Sequence, residues 1–277
     1  MADMPNTQIE QTQLMMTWKS MQALGLPLPS LDEVHFRAHS QNGEDGVLLY
    51  LFSLIGTTNK KVLEVCAGDG KTCNSANLII NHGWEGFLFD GEEQNVNSGV
   101  EFYQSCSDTS FWPPKIQHAW ITRDNINELV SSLNLSGEID LLSLDIDGND
   151  YWIFEALDVV QPRVVIAEYQ QAWGPDVAVT QRYEEDYSKQ HHQAEVSGPV
   201  FEGASLAALV KLADAKGLRL VGHERKCFNA VFMRKGLAED IFPTVDPATC
   251  FDHVMARYNV AWMPERVDPE DPFWVYV

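Results

Sequence analysis

Between Lys61 and Arg234 the chain alternates short β-like apolar runs with helical stretches, which restricts it to a parallel sheet covered by helices on both faces. Strands are predicted at Lys61 to Cys66, Gly86 to Asp90, Ile116 to Trp120, Ile139 to Asp145, Arg163 to Tyr169, Arg219 to His223 and Asn229 to Arg234. Helices are expected between them at Asn74 to His82, Gln94 to Cys106, Ile126 to Leu133, Tyr151 to Leu157 and Leu206 to Lys216. Only a short link around Arg225 to Phe228 joins the last two strands. It is too short for the helical crossover that parallel neighbours need, so these two should form an antiparallel hairpin. The expectation is an α/β, Rossmann-like, seven-stranded sheet, mostly parallel, with an antiparallel terminal hairpin.

Outside the alternation, Ile9 to Leu24 place Ile9, Leu14, Met15, Trp18, Met21 and Leu24 at helical spacing. This Met and Trp stripe should pack on the domain or on a second subunit, giving a homo-oligomer. Glu44 to Ile55 are apolar enough for a well-buried helix. Residues 1–38 are therefore assigned to an N-terminal helix and linker, and 39–240 to the main domain. Within that domain 173–203 form an insertion, polar and aromatic, expected to act as a lid or substrate loop. Residues 241–277 form a C-terminal extension whose apolar end, Phe273 to Val277, should dock on the domain.

Nineteen Lys+Arg against forty Asp+Glu give a formal charge of -21, which repels phosphate backbones and anionic headgroups. Nucleic acid and membrane are thereby disfavoured as partners. No apolar run approaches the roughly 18 residues needed to span a bilayer. The five cysteines form no Cys-x-x-Cys pair and read as reduced thiols of a cytoplasmic protein.

The sharpest local signal is Val62-Leu63-Glu64-Val65-Cys66-Ala67-Gly68-Asp69-Gly70, a strand running into a glycine turn and then a helix. Small residues there let backbone approach a ligand, and the following helix offers free N–H groups. Asp90, followed by Gly91, ends the next strand, where a carboxylate accepts two hydrogen bonds from a ribose diol. After the third strand, Asp124 either accepts from an adenine amino group or caps a helix.

These stretches resemble the FkbM-like branch of class I S-adenosylmethionine-dependent methyltransferases. The likeness extends to Ser40-Gln41-Asn42-Gly43-Glu44-Asp45, Phe87 to Gly91, Leu142 to Asp150 and Val165 to Tyr169, covering about Ser40 to Arg234. The resemblance implies an S-adenosylmethionine site in which Glu64, Gly68 and Gly70 cradle the methionine part and Asp90 holds the ribose. Gln41 would lie in a flap over the cofactor. Cys66 departs from the common pattern, standing where it has its first glycine and narrowing the room for backbone approach.

Asp145-Ile146-Asp147-Gly148-Asn149-Asp150 end the fourth strand, at the edge where open α/β sheets bind ligands. Three carboxylates in six residues repel one another, so they call for a cation, a donor-rich substrate or full solvation. With Glu168 on the adjacent strand, Asp145 and Asp147 could make an oxygen-rich Mg²⁺ site. The bland alternative has Gly148 making a turn and Asp150 capping the next helix. Asp145 is also a candidate cofactor contact. Methyl transfer mainly requires alignment of the acceptor and removal of its proton. Asp147 is the first candidate base and His223 the second, while His191 and His192 of the insertion could line an acceptor pocket.

Asp145-Ile146-Asp147-Gly148 stands where a nucleic-acid amino-methyltransferase would carry Asn/Asp-Pro-Pro-aromatic, so a small-molecule hydroxyl of a sugar or secondary metabolite is the expected acceptor. A second reading is a methyltransferase-fold module that has lost catalysis and serves as a binding or scaffolding partner. A nicotinamide dehydrogenase ranks last, since Cys66, Gly68 and Gly70 do not supply Gly-x-Gly-x-x-Gly.

Overall fold

A computed structural model describes residues 7–189, 202–262 and 270–277. His191 and His192 lie outside the described residues. The chain opens with α1 (Gln8–Ala23) and α2 (Glu44–Ile55), then alternates β1 (Lys61–Val65), α3 (Ala76–His82), β2 (Glu85–Asp90), α4 (Glu93–Ser105), β3 (Lys115–His118), α5 (Ile126–Ser132), β4 (Gly137–Leu144), α6 (Asp150–Ala156) and β5 (Val160–Glu168). After β6 (Val179–Gln181) come α7 (Leu206–Ala215), β7 (Leu218–His223), β8 (Asn229–Arg234), α8 (Val254–Trp262) and β9 (Trp274–Tyr276).

Seven strands form one sheet in the order β3-β2-β1-β4-β5-β8-β7. The first five pair in parallel, whereas β8 is antiparallel to both β5 and β7. This is the class I methyltransferase, Rossmann-like sheet, as the alternation implied. Successive residues of a strand face opposite sides, and the two cores divide accordingly. Leu63, Val65, Phe87, Phe89, Leu142 and Leu144 pack on one face, and Val62, Leu88, Leu141, Val164 and Ile166 on the other.

Helix α2 is buried almost all round because it lies between the sheet and α1. A side chain at Gly46 would stand 2.0 Å from the Val34 carbonyl oxygen, so only glycine admits the strap at Val34 and Phe36 that crosses it. Trp18 of α1 packs edge-on against Tyr50 of α2 at 5.0 Å, which accounts for part of the Met and Trp stripe. The outer side of α1 leaves Ile9, Met16 and Leu24 exposed. The apolar end of the chain docks as β9, which pairs antiparallel with β6 in a small second sheet, and Trp274 stacks edge-on with Trp173. No pattern of period two announced either three-residue strand. No helix among the described residues is long and apolar enough to cross a membrane. All five cysteines are free thiols.

Candidate active site

At the carboxyl edge of the parallel strands the loops after β1, β2, β4 and β5 surround a cavity of about 570 Å³. The turn after β1 enters it through two left-handed residues, Cys66 at φ 61° and Gly68 at φ 57°. Cys66 thus adopts the conformation that the usual glycine would supply. Beside Gly68 no heavy atom lies within 4 Å of where a Cβ would stand, so this backbone faces open space. Gly70 is off the cavity wall; its carbonyl accepts the Tyr103 hydroxyl at 2.5 Å and secures the far side of the turn.

Two carboxylates hold this turn. Glu64, buried in β1, accepts from the Asn74 and Ser75 amides at 2.8 Å each and from the Ser143 hydroxyl at 3.0 Å. Asp90 accepts from the Gly68 amide at 2.8 Å through one oxygen, and from Glu92 N at 2.9 Å and Asn95 Nδ2 at 3.0 Å through the other. Gln41, Glu64, Gly68, Asp90 and Gly91 all line the cavity.

The loop after β4 brings in the second set. Asp147 is left-handed at φ 55°, and Asn149, rather than Asp150, occupies the N-cap of α6. The Asp150 carboxylate instead closes the loop, accepting the Ile146 amide at 2.7 Å and the Gly148 amide at 3.0 Å. Oxygens of Asp145, Asp147 and Glu168 lie within 4.8 Å of one another. Burial, then the nearby Asp150, pushes the Asp145 carboxyl up to about 7. Glu168 is also raised well above the carboxylate range, by burial and then by Asp145. Such a set fits a hard divalent cation, which takes carboxylate oxygens and relieves their repulsion.

A strap from Arg182 to Lys189 crosses the mouth. The Arg123 guanidinium lies 4.4 Å from the centre of the Tyr183 ring, Trp120 Nε1 donates to the Glu185 carbonyl at 2.8 Å, and Asn149 Nδ2 donates to that of Glu184 at 2.8 Å. The Lys189 ammonium bridges Asp147 and Glu202. Burial alone would lower its pKa, but the two carboxylates raise it overall.

Besides Gly70, two of the expected residues do not reach this cavity. Asp124 is turned to solvent, its side chain 80% exposed and 3.6 Å from Arg123, while Asn125 takes the N-cap of α5. His223 ends β7, and the sheet order puts β8 between β7 and β5. Its Nδ1 sits 2.5 Å from the Glu224 carbonyl instead. Conversely, Glu44, Asn149, Asn229 and Lys189 line the cavity unforeseen. Asn229 opens the final hairpin strand, but no signal in the sequence marks that strand, instead of β7, as the neighbour of β5.

Strand order and the position of the cavity define a class I methyltransferase-type fold. No protein-family model matches the chain, and no curated protein matches it. Among solved structures, an S-adenosylmethionine-dependent methyltransferase from Clostridium acetobutylicum ATCC 824 is 12% identical, over 68% of this chain and 89% of that one, with a TM-score of 0.44. Magnesium protoporphyrin IX methyltransferase from Synechocystis PCC 6803, solved with bound S-adenosylmethionine, is 12% identical over 69% and 78%, with a TM-score of 0.43. The N-terminal domain of EvdMO1, solved with S-adenosylhomocysteine, is 13% identical over 81% and 96%, with a TM-score of 0.46. These are likenesses of fold.

Proposed function

We propose that the protein is an S-adenosylmethionine-dependent methyltransferase of the FkbM-like type that methylates a hydroxyl of a small molecule, such as a sugar or secondary metabolite, with Mg²⁺ assistance. The observation that carries this reading is the link between Asp90 and the Gly68 turn at the mouth of a cavity large enough for a nucleoside cofactor. In it Gly68 offers bare backbone, Asp90 offers carboxylate oxygens to a ribose diol, and Gln41 and Gly91 border the same space. Glu64 supports the turn from behind through its three hydrogen bonds.

When bound, the cofactor supplies an electrophilic methyl group on a sulfonium. Transfer would pass that methyl group to the acceptor oxygen, and Asp147 at the sheet edge would take the hydroxyl proton. Asp145, Asp147 and Glu168 would hold Mg²⁺, which lowers the acceptor hydroxyl's pKa. The strap from Arg182 to Lys189 excludes water from this end of the cavity.

The test is calorimetric titration of wild type and Asp90→Ala with S-adenosylmethionine and S-adenosylhomocysteine, with and without Mg²⁺. Micromolar binding abolished by Asp90→Ala supports the reading. Binding without turnover across a hydroxyl acceptor panel would favour a non-catalytic binding module, and no binding under any condition would overturn the cofactor assignment.

A further inference from the structure

Where β5 meets β8 the cavity wall consists of acceptors. Glu168 ends β5 and Asn229 opens β8, and the two are direct partners across the antiparallel ladder, so their side chains leave the same face of the sheet. Glu44, the first residue of α2, accepts from Asn229 Nδ2 at 2.9 Å. All three line the cavity.

Asn229 is only 4% exposed, yet its Oδ1 has no hydrogen-bond partner. The amide orientation is set by Glu44, because the opposite one would place oxygen against oxygen. Asn149 repeats the arrangement: 5% exposed, its Nδ2 given to the Glu184 carbonyl, its Oδ1 unpartnered, and it too lines the cavity. Buried acceptors without donors are costly, and natural sites keep them where a ligand supplies the donor.

A neutral polyol and an ammonium ion both bring donors. The charge balance favours the ammonium. Five carboxylates, Glu44, Glu64, Asp90, Glu92 and Asp147, line the cavity beside Asp145 and Glu168, whose carboxyls burial pushes toward the neutral form, and among the described residues Lys189 is the one cationic side chain that does so, already committed to Asp147 and Glu202. That ion pair also shows an alkylammonium seated between Asp147 of the cavity wall and the buried Glu202. Along β1-β4-β5-β8, at about 4.8 Å per strand, Asn229 lies roughly 14 Å from the glycine turn.

We propose that Glu44, Glu168 and the Asn229 carbonyl form a recognition pocket for a primary ammonium group on the methyl acceptor, which makes that acceptor a hydroxylated amine. The inference rests on the methyltransferase reading of the cavity. The ammonium keeps its protons and takes no part in transfer; it anchors the molecule while a hydroxyl is presented at Asp147.

The minimal probe is ethylammonium, small enough to enter any ammonium pocket. The side-chain amide resonances of Asn229 in the ¹⁵N-labelled full chain are followed during titration with ethylammonium chloride, ethanol, KCl and MgCl₂ at matched ionic strength, with and without S-adenosylhomocysteine. Saturable shifts are expected with ethylammonium and, through Glu168, with MgCl₂, but not with ethanol or KCl; ethylammonium affinity should fall about tenfold in Glu44→Gln and in Glu168→Gln, whereas the Mg²⁺ response is lost only in Glu168→Gln. Each variant's backbone spectrum reports its folding. Absence of a saturable ethylammonium shift, an equal response to ethanol, or unchanged ethylammonium affinity in both variants would overturn the pocket. Failure of S-adenosylhomocysteine to bind while the ethylammonium response persists would instead remove the methyltransferase reading and leave the ammonium site.

Discussion

The Asp90 carboxylate accepts the Gly68 amide at 2.8 Å, so the last residue of β2 and the turn after β1 form one hydrogen-bonded unit. The second oxygen holds Glu92 and Asn95, which fixes the carboxylate before any ligand arrives. Asp90→Ala therefore removes the acceptor and loosens the turn together. S-Adenosylhomocysteine affinity should fall by about 100-fold or more, as expected for losing two charge-assisted hydrogen bonds. Asp90→Asn, which can still accept from Gly68, should lose less. Calorimetry compares the two, and an unaffected Asp90→Ala would take Asp90 out of the site.

Glu64 is 4% exposed and satisfies two backbone amides and a hydroxyl. In Glu64→Ala these buried donors lose their partner, and folding stability should drop by roughly 3 kcal/mol. Glu64→Gln, with one remaining acceptor oxygen, should lose about half as much. Urea denaturation midpoints decide the matter; equal midpoints for wild type and alanine variant would contradict the bracing role.

The acidic cluster makes stability fall as pH rises. Asp145 titrates near 7 in the folded protein, raised by burial and by Asp150, against about 4 in the unfolded chain. The folded state thus binds the extra proton, and this contribution is complete below about pH 4 and lost as pH rises through 7. Asp145→Asn escapes the loss. It should exceed wild type in stability by roughly 1–2 kcal/mol at pH 8, with the difference shrinking steadily toward pH 5. Thermal melts at the two pH values would show it, and a difference independent of pH would refute the assignment.

A divalent cation held by Asp145, Asp147 and Glu168 would compete with Lys189 for the Asp147 carboxylate. With the ammonium gone from Asp147 in Lys189→Met, Mg²⁺ or Mn²⁺ affinity should rise about tenfold. Calorimetric titration with either metal checks this, and weaker metal binding in the variant would mean that Lys189 organises the site instead of blocking it.

Gly148, at φ 149°, leaves no room for a side chain: a Cβ would stand 2.5 Å from the Tyr187 ring and 2.9 Å from the Gln181 amide nitrogen. Gly148→Ala should cost about 2 kcal/mol in stability and displace Tyr187, whose hydroxyl donates to Glu202 at 2.9 Å. Tyrosine fluorescence is masked by eight tryptophans, so the displacement is best read from Tyr187 ring resonances in selectively labelled protein. Unchanged resonances would rule it out.

Local order carried much of this architecture. Apart from β3, Lys115–His118 at the sheet edge, each strand of the main sheet is a largely apolar run bounded by turn residues, and the period-two split of Val62 from Leu63 assigns the two cores without reference to distant chain. The Glu64 to Gly70 turn and Asp90 were equally legible, because a strand end fixes its own following loop and parallel neighbours bring those loops to one edge. The carboxylates Asp145, Asp147 and Glu168 follow from the same rule on adjacent strands β4 and β5.

What the sequence could not determine is which strand of the terminal hairpin meets β5. Both strands are apolar and of equal length, and a hairpin satisfies its own hydrogen bonds whichever side faces the sheet. Packing placed β8 inside, which brings Asn229 to Glu168 and Glu44 and carries His223 to the outer strand. The strap carrying Tyr187 and Lys189 is likewise held by contacts with Trp120, Asn149 and Glu202, residues distant in sequence that no local pattern associates. The chain's own periodicity set the sheet and the Gly68–Asp90 end of the cavity; long-range packing alone decided what lines the Asn229 end.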